Sequence, residues 1–251
     1  MKRLAWGFLV GIVASVMLFG CKGADGPQGP AGTALTGTLY GKVQAYDSFG
    51  NYLGYMSGVT VNAEGTSYSA TTDSLGVFGI GGLPTGTYTL TFAKAGYGTN
   101  KITQVQFVGG GDYFMPNNAY IGGLPNFEAA TATAAIGAGN LNVTGTVTGG
   151  SPPYNRRVIM YIAKTSTINP SVPSTFVRYY GYYIASSANN YSFSISVSSL
   201  MSNYGFATGN TIYVAVYSAG YYDWSYWDYP TGKDVETAYG TVAKPSSVVI
   251  P

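Results

Sequence analysis

Four carboxylates, Asp223, Asp228, Asp234 and Glu236, lie within one fourteen-residue stretch near the C-terminal end of the chain. Paired carboxylates can hydrolyse a glycosidic bond, and clustered oxygens suit calcium, which takes six to eight of them. The spacing is not that of an EF-hand loop, and acidic loop residues equally supply solubility and turn hydrogen bonds. No metal and no catalytic residue is assigned on this pattern. The chain has no histidine and a single cysteine, Cys21. Ser–His–Asp and Cys–His catalysis and the common zinc and haem sites are thereby excluded. The expectation is a non-enzymatic protein without a cofactor.

The same stretch reads Tyr221-Tyr222-Asp223-Trp224-Ser225-Tyr226-Trp227-Asp228-Tyr229 and holds both tryptophans other than Trp6. In an extended segment Tyr222, Trp224 and Tyr226 share one face. Planar rings beside carboxylates offer a surface for stacking against sugar rings or a protein partner. The competing reading packs these rings onto the protein's own core, the ordinary fate of large aromatics. The candidate ligand-binding residues are therefore Tyr222, Trp224, Tyr226, Trp227, Asp223 and Asp228. Gly76–Gly82 is glycine-rich, but no helix follows it, so it is not a dinucleotide loop.

Cys21 ends a segment with its own logic. Lys2 and Arg3 are followed by an apolar run from Leu4 to Phe19 broken only by Ser15. A positive start, an apolar middle and a small residue before the cut describe a secretory signal peptide, here 1–20. A membrane-spanning helix needs about 20 apolar residues, and no stop-transfer charges follow. Leu18-Phe19-Gly20-Cys21 resembles the lipobox of bacterial lipoproteins, with Phe19 where a small residue is usual. The resemblance implies lipidation at Cys21: a diacylglyceryl group on the sulfur, cleavage before the residue, and acylation of the new amino group. The partner is then a lipid bilayer, held by methylenes worth about 0.8 kcal/mol each. Lys22, rather than Asp, after the cysteine resembles the enterobacterial sorting signal for the outer membrane. Removal of Lys2 and Arg3 leaves ten basic residues against ten acidic. A nucleic-acid surface, which needs clustered positive charge, is excluded.

After Cys21 the run Gly23-Ala24-Asp25-Gly26-Pro27-Gln28-Gly29-Pro30-Ala31-Gly32 has Gly-X-Y spacing. It is too brief for a triple helix and reads as part of an extended tether over 21–35, the ten-residue run itself spanning about 30 Å at ~3.1 Å per residue. From Thr36 the pattern is period-two alternation punctuated by glycine. Leu39, Gly41, Val43 and Ala45 fall on one face, Tyr40, Lys42, Gln44 and Tyr46 on the other. Val59, Val61 and Ala63 repeat it, as do Phe78 and Ile80 after the turn at Asp73–Gly76, and Tyr88, Leu90 and Phe92 after the turn at Leu83–Gly86. Six or seven short strands at intervals of about ten residues predict a sandwich over 36–125. The string Asp73-x-x-Gly76-x-Phe78-x-Ile80-x-x-Leu83-Pro84-x-Gly86-x-Tyr88-x-Leu90-x-Phe92-x-x-x-Gly96-Tyr97, with Gly41-x-Val43 and Gly58-Val59-x-Val61 upstream, resembles the carboxypeptidase regulatory-like domain over 36–115. The resemblance implies a transthyretin-like, seven-stranded sandwich grouped with carbohydrate-binding-like folds. It carries no activity with it.

Pro116, Gly122-Gly123, Pro125 and an Ala/Thr stretch predict a loop-like boundary between Pro116 and Ala135. Alternation restarts at Leu141–Val147, with further strands expected at Val158–Ala163, Phe176–Ile184, Tyr191–Val197, Ile212–Tyr217 and Thr237–Val242. A helical turn at Ser199–Tyr204 would be capped by Ser198. This half, 126–251, resembles an immunoglobulin or fibronectin type III sandwich in strand rhythm alone, without the Cys–Trp–Cys signature. The expectation is an all-β chain of two consecutive β-sandwich domains, acting at the cell envelope as a non-enzymatic structural or interaction module. The alternative is carbohydrate binding through 221–229. Partners would be a polysaccharide or an envelope protein.

Overall fold

The computed structural model describes residues 32–150, 154–222 and 224–251. The segment expected to be a signal peptide, Cys21, most of the Gly-X-Y run and Asp223 lie outside the described residues. The strands fall in one unit, Ala34–Pro251, and the chain is all-β, as the alternation predicts.

The first nine strands are β1 (Thr36–Tyr46), β2 (Tyr52–Tyr55), β3 (Thr60–Ala63), β4 (Ser69–Thr71), β5 (Val77–Pro84), β6 (Gly86–Ala93), β7 (Asn100–Phe107), β8 (Asp112–Phe114) and β9 (Ala119–Gly122). They make two layers. In one, β1 pairs antiparallel with β2 and β5 and parallel with β8 and β9; in the other the order is β4-β3-β6-β7. The period-two pattern decides which residues meet. Leu39, Val43 and Ala45 of β1 are fully buried with Val61, Phe78, Ile80, Leu90 and Phe92, and Phe78 meets Phe92 edge to face at 5.8 Å. Each of these side chains larger than alanine contributes about 1.5–3 kcal/mol of burial. The turn before β5 forms because the Asp73 carboxylate accepts from the Leu75 and Val77 amides, at 2.8 and 2.9 Å. Gly76 completes it at φ +70°, with the Val43 carbonyl 2.8 Å from where a Cβ would sit.

The second half contains β10 (Phe127–Gly137), β11 (Asn140–Gly149), β12 (Arg156–Ala163), β13 (Arg178–Ile184), β14 (Asn190–Ser196), β15 (Thr211–Ala219), β16 (Ser225–Asp228), β17 (Lys233–Glu236), β18 (Tyr239–Val242) and β19 (Ser246–Val249). One layer is β10-β11-β14. The other is β13-β12-β15-β18, with β19 also on β15 and β16-β17 as a separate hairpin. Their shared core includes Leu141, Val143, Met160, Ile162, Tyr191, Val214 and Val216. All eight residues of β12 are buried, because its other face, with Ile159 and Tyr161, is covered by Phe176.

Two expectations are corrected. The stretch 116–135 is not loop-like: it holds β9, which runs parallel to Val43–Tyr46, and β10, which follows β11 through ten residue pairs. Small Ala and Thr side chains suit an edge strand with one half-solvated face, and they hide the apolar signal that marks a strand. The helix, α1 (Val197–Tyr204), starts two residues earlier than expected. Its cap is Ser196, whose hydroxyl accepts from the Ser199 amide at 3.4 Å, the N-cap to N3 spacing, and Gly205 closes it at φ +64°.

Candidate functional site

The 221–236 stretch folds as a short link and a hairpin. β16 pairs with β17 from Ser225↔Glu236 to Asp228↔Lys233. Asp228 builds the hairpin turn: its carboxylate accepts from the Thr231 amide at 3.1 Å and from the Thr231 hydroxyl, and its carbonyl from the Gly232 amide at 2.8 Å. Glu236 is 1% exposed. Its Oε2 lies 2.9 Å from Nη1 of Arg157 on β12. The same Nη1 donates to the carbonyls of Tyr222 at 3.0 Å and Gly220 at 3.3 Å. Charge-assisted bonds in so dry a place are strong, so Arg157 pins the link from beneath. Asp234 is exposed. Among the described residues no three carboxylates, cysteines or histidines come together in a way that would hold a metal ion.

The link also joins the two sandwiches. The Tyr221 amide donates to the Ser48 carbonyl at 3.0 Å. The indole of Trp224 lies on Gly122 of β9, where an added Cβ would fall 2.3 Å from Cδ1. Around it stand Tyr46 at 4.8 Å, Tyr120 at 5.9 Å and 28°, and Tyr222 at 5.5 Å and 80°. The Trp224 carbonyl accepts from the amide and hydroxyl of Thr237, at 2.9 and 2.6 Å. Trp224 is thus half-buried against the first sandwich, while Tyr222 stays 44% exposed.

Beyond the link the rings separate. Tyr226 lies under Lys101 of β7, whose Nζ is 5.4 Å from the ring centre and 2.7 Å from Glu64. Burial pushes the Tyr226 phenol up, and Lys101 pulls against that shift. With Tyr97, Thr99, Ser171 and Tyr239, Tyr226 and Lys101 line a cleft of about 350 Å³ between the sandwiches. Trp227 turns instead to a second cleft of about 250 Å³, with Tyr179, Tyr204, Arg178 and Asp234. Trp227 and Tyr229 are exposed. Lys233 donates to the carbonyls of Pro173 and Phe176, and burial holds its amine below the usual range against the opposing pull of Asp228. Of the candidate residues, then, Tyr222 and Trp224 come together, Tyr226, Trp227 and Asp228 do not join them, and Asp223 is outside the described residues. Sequence reasoning did not single out Arg157, Tyr46 or Tyr120. A signal for the first was present: Arg156-Arg157 opens a wholly apolar strand, and a buried cation needs an anion.

The Asp73 turn, the buried Phe78, Ile80, Leu90 and Phe92, and the Tyr88 hydroxyl on the Pro84 carbonyl at 2.7 Å together give the signature string a structural meaning. Residues 40–114 match the carboxypeptidase regulatory-like domain. In this domain the signature positions fill the core and make the turns. The solved structures similar to the chain include one from a type II cohesin–X–dockerin complex of Acetivibrio cellulolyticus, with 27% identity over 34% of this chain and a TM-score of 0.28. The chain spans 56% of that structure's length. A DUF3823 family protein of Bacteroides ovatus is matched at 13% identity over 86% of this chain and 100% of its own, with a TM-score of 0.34. A Bacteroides uniformis protein provisionally described as carbohydrate binding gives 12% identity over 86% and 100%, with a TM-score of 0.34. No curated protein sequence matches the chain.

Proposed function

We propose that the chain is a non-enzymatic interaction module of the cell envelope, exported, acylated at Cys21 and held at the outer membrane, where it presents the two sandwiches as one display unit. The observation that carries this reading is what the reactive-looking residues do. Asp228 builds a hairpin, Glu236 neutralises Arg157, Trp224 fastens the link to β9, and Asp73 makes a turn. These are uses in scaffolding, and they leave a rigid surface facing solvent. Lys2-Arg3, the apolar run and Gly20-Cys21 support the anchoring.

A Cys21→Ser variant expressed in an exporting bacterium is expected to leave the membrane fraction or to remain unprocessed. The wild type is expected to incorporate a fatty-acid analogue and to have a mass beginning at residue 21. A mature form that keeps Met1 and carries no lipid overturns the anchoring. A second reading, carbohydrate binding, is favoured by the rings left open at the junction, Tyr222 at 44% and Tyr120 at 36% exposure.

A further inference from the structure

The solvent face of the β1 layer is paved with rings well beyond the 221–229 stretch. Residues paired across neighbouring strands point to the same side. Tyr40 pairs with Gly79 of β5 and with Phe114 of β8. Its ring lies across Gly79, where an added Cβ would meet Cε1 at 2.6 Å, and it stacks on Phe114 at 4.8 Å and 14°. Two residues along β1, Lys42 sits 5.2 Å from the ring centre of Tyr55. At the far end Tyr46 meets Tyr52 at 5.3 Å, with Tyr120 and Trp224 beside it. The row from Tyr40 to Tyr46 spans six steps along one strand, about 20 Å at ~3.3 Å per residue. Phe114, Tyr52, Tyr55 and Tyr120 are 67, 53, 45 and 36% exposed.

Three features of this row select its occupant. Glycines at 79 and 122 let the Tyr40 and Trp224 rings lie along the sheet instead of standing off it. The near-parallel pairs, 14° for Tyr40–Phe114 and 28° for Tyr120–Trp224, offer flat platforms. Phenol hydroxyls and the Gln44 amide, which donates to the Tyr52 hydroxyl at 3.2 Å, supply polar edges. A sugar ring has the matching shape: C–H groups on its face and hydroxyls round its rim. Bases of a single-stranded nucleic acid also stack on such rings, but they need a basic groove for the phosphates, and Lys42 is the one cation among the residues of this row.

We infer that this face binds an extended, uncharged polysaccharide, laid along β1 from Tyr40 and Phe114 to Tyr52 and Trp224. This deepens the reading of the chain as a binding module and does not depend on lipid at Cys21. The test is affinity electrophoresis of the full chain through gels containing hydroxyethyl cellulose, glucomannan, xylan or dextran, with alginate and oligo-dT as charged comparisons. Retardation by at least one neutral polymer is expected. The double variant Phe114→Ala/Tyr52→Ala, truncating two exposed rings, is expected to bind about ten-fold more weakly or worse with its thermal midpoint little changed. Trp227→Ala, which faces a different cleft, is expected to bind as the wild type does. No retardation by any neutral polymer, retardation by alginate or oligo-dT alone, or full binding by the double variant overturns the inference. So does a concentration-dependent dimer that the double variant abolishes, since the face would then be covered by a second copy. Membrane fractionation of Cys21→Ser reports on anchoring alone, so either reading can fail without the other.

Discussion

Replacing Arg157 by methionine should be among the most damaging single changes away from the two main cores. The side chains of Arg157 and Glu236 are 3% and 0% exposed and 2.9 Å apart. Removing one member of such a pair leaves the other charge in a dry site, which costs about 3–5 kcal/mol. The carbonyls of Gly220 and Tyr222 lose the same donor, and because all of these bonds share one guanidinium their losses do not add. With ~2–4 °C of midpoint per kcal/mol for a chain of this size, Arg157→Met is expected to melt about 6–20 °C below the wild type by circular dichroism. Trp224 emission should shift to the red as the link loosens. The double variant Arg157→Met/Glu236→Leu should recover much of the loss, because an apolar pair often replaces a buried ion pair without penalty. Recovery should stop short, since the Gly220 carbonyl loses its Arg157 donor, at about 1–3 kcal/mol, while the Tyr222 carbonyl keeps the Trp224 amide at 3.0 Å. A single variant within about 2 °C of wild type, or a double variant no better than the single, would refute the reasoning.

The two tryptophans should part company in urea: Trp224→Ala is expected to lower stability by about 3 kcal/mol, and Trp227→Ala by less than about 1 kcal/mol, at unchanged m-value. Equal losses would mean that Trp224 is not the fastening it is described as. Burial also raises the phenols of Tyr161, Tyr191 and Tyr217, and that of Tyr180 to about 12, with a further push from its hydrogen bond to Tyr204. Unfolded phenols ionise near 10, so below that pH both states are neutral and nothing changes. Above it the unfolded state has lost more protons, and stability must fall as pH rises. Denaturation midpoints should therefore be level from about pH 7 to 9 and drop beyond about 10, with tyrosinate absorbance appearing only as the fold is lost. Tyrosines that all titrate near 10 in an intact fold would contradict the burial.

The parts of the fold written in alternation were legible in the sequence. Leu39, Val43 and Ala45 face inward as their spacing demands, and Asp73–Gly76 turns because its residue types permit little else there. What escaped is held by partners distant in sequence. β9 is a strand because Val43–Tyr46 offers it a parallel edge, and the run Ala119–Gly122 alone carries no comparable pattern. β10 reads as an Ala/Thr spacer until β11 is set beside it. The aromatic stretch was legible as unusual, and alternation alone sets Trp227 on the face opposite Trp224. What local pattern did not mark is where Trp224 goes: its ring lies on β9 over Gly122, 102 residues earlier in the chain. The row on the outer face of β1 was half visible, since Tyr40 and Tyr46 alternate with the core positions, but Phe114 and Tyr120 join it through strands that no local pattern marked.

The central place of β1 has a mechanical consequence. The chain enters the unit at Ala34, and β1 begins two residues later. At Leu39–Tyr40 the strand is hydrogen-bonded to both β5 and β8, and at Gln44–Tyr46 to both β2 and β9. Ladder bonds of the antiparallel kind lie across the strand. A tug delivered through the N-terminal segment along the strand axis therefore loads many bonds side by side, and they must yield together. A hairpin pulled open from its end gives way one rung at a time. The strand that carries the aromatic row is thus also the one best placed to bear tension.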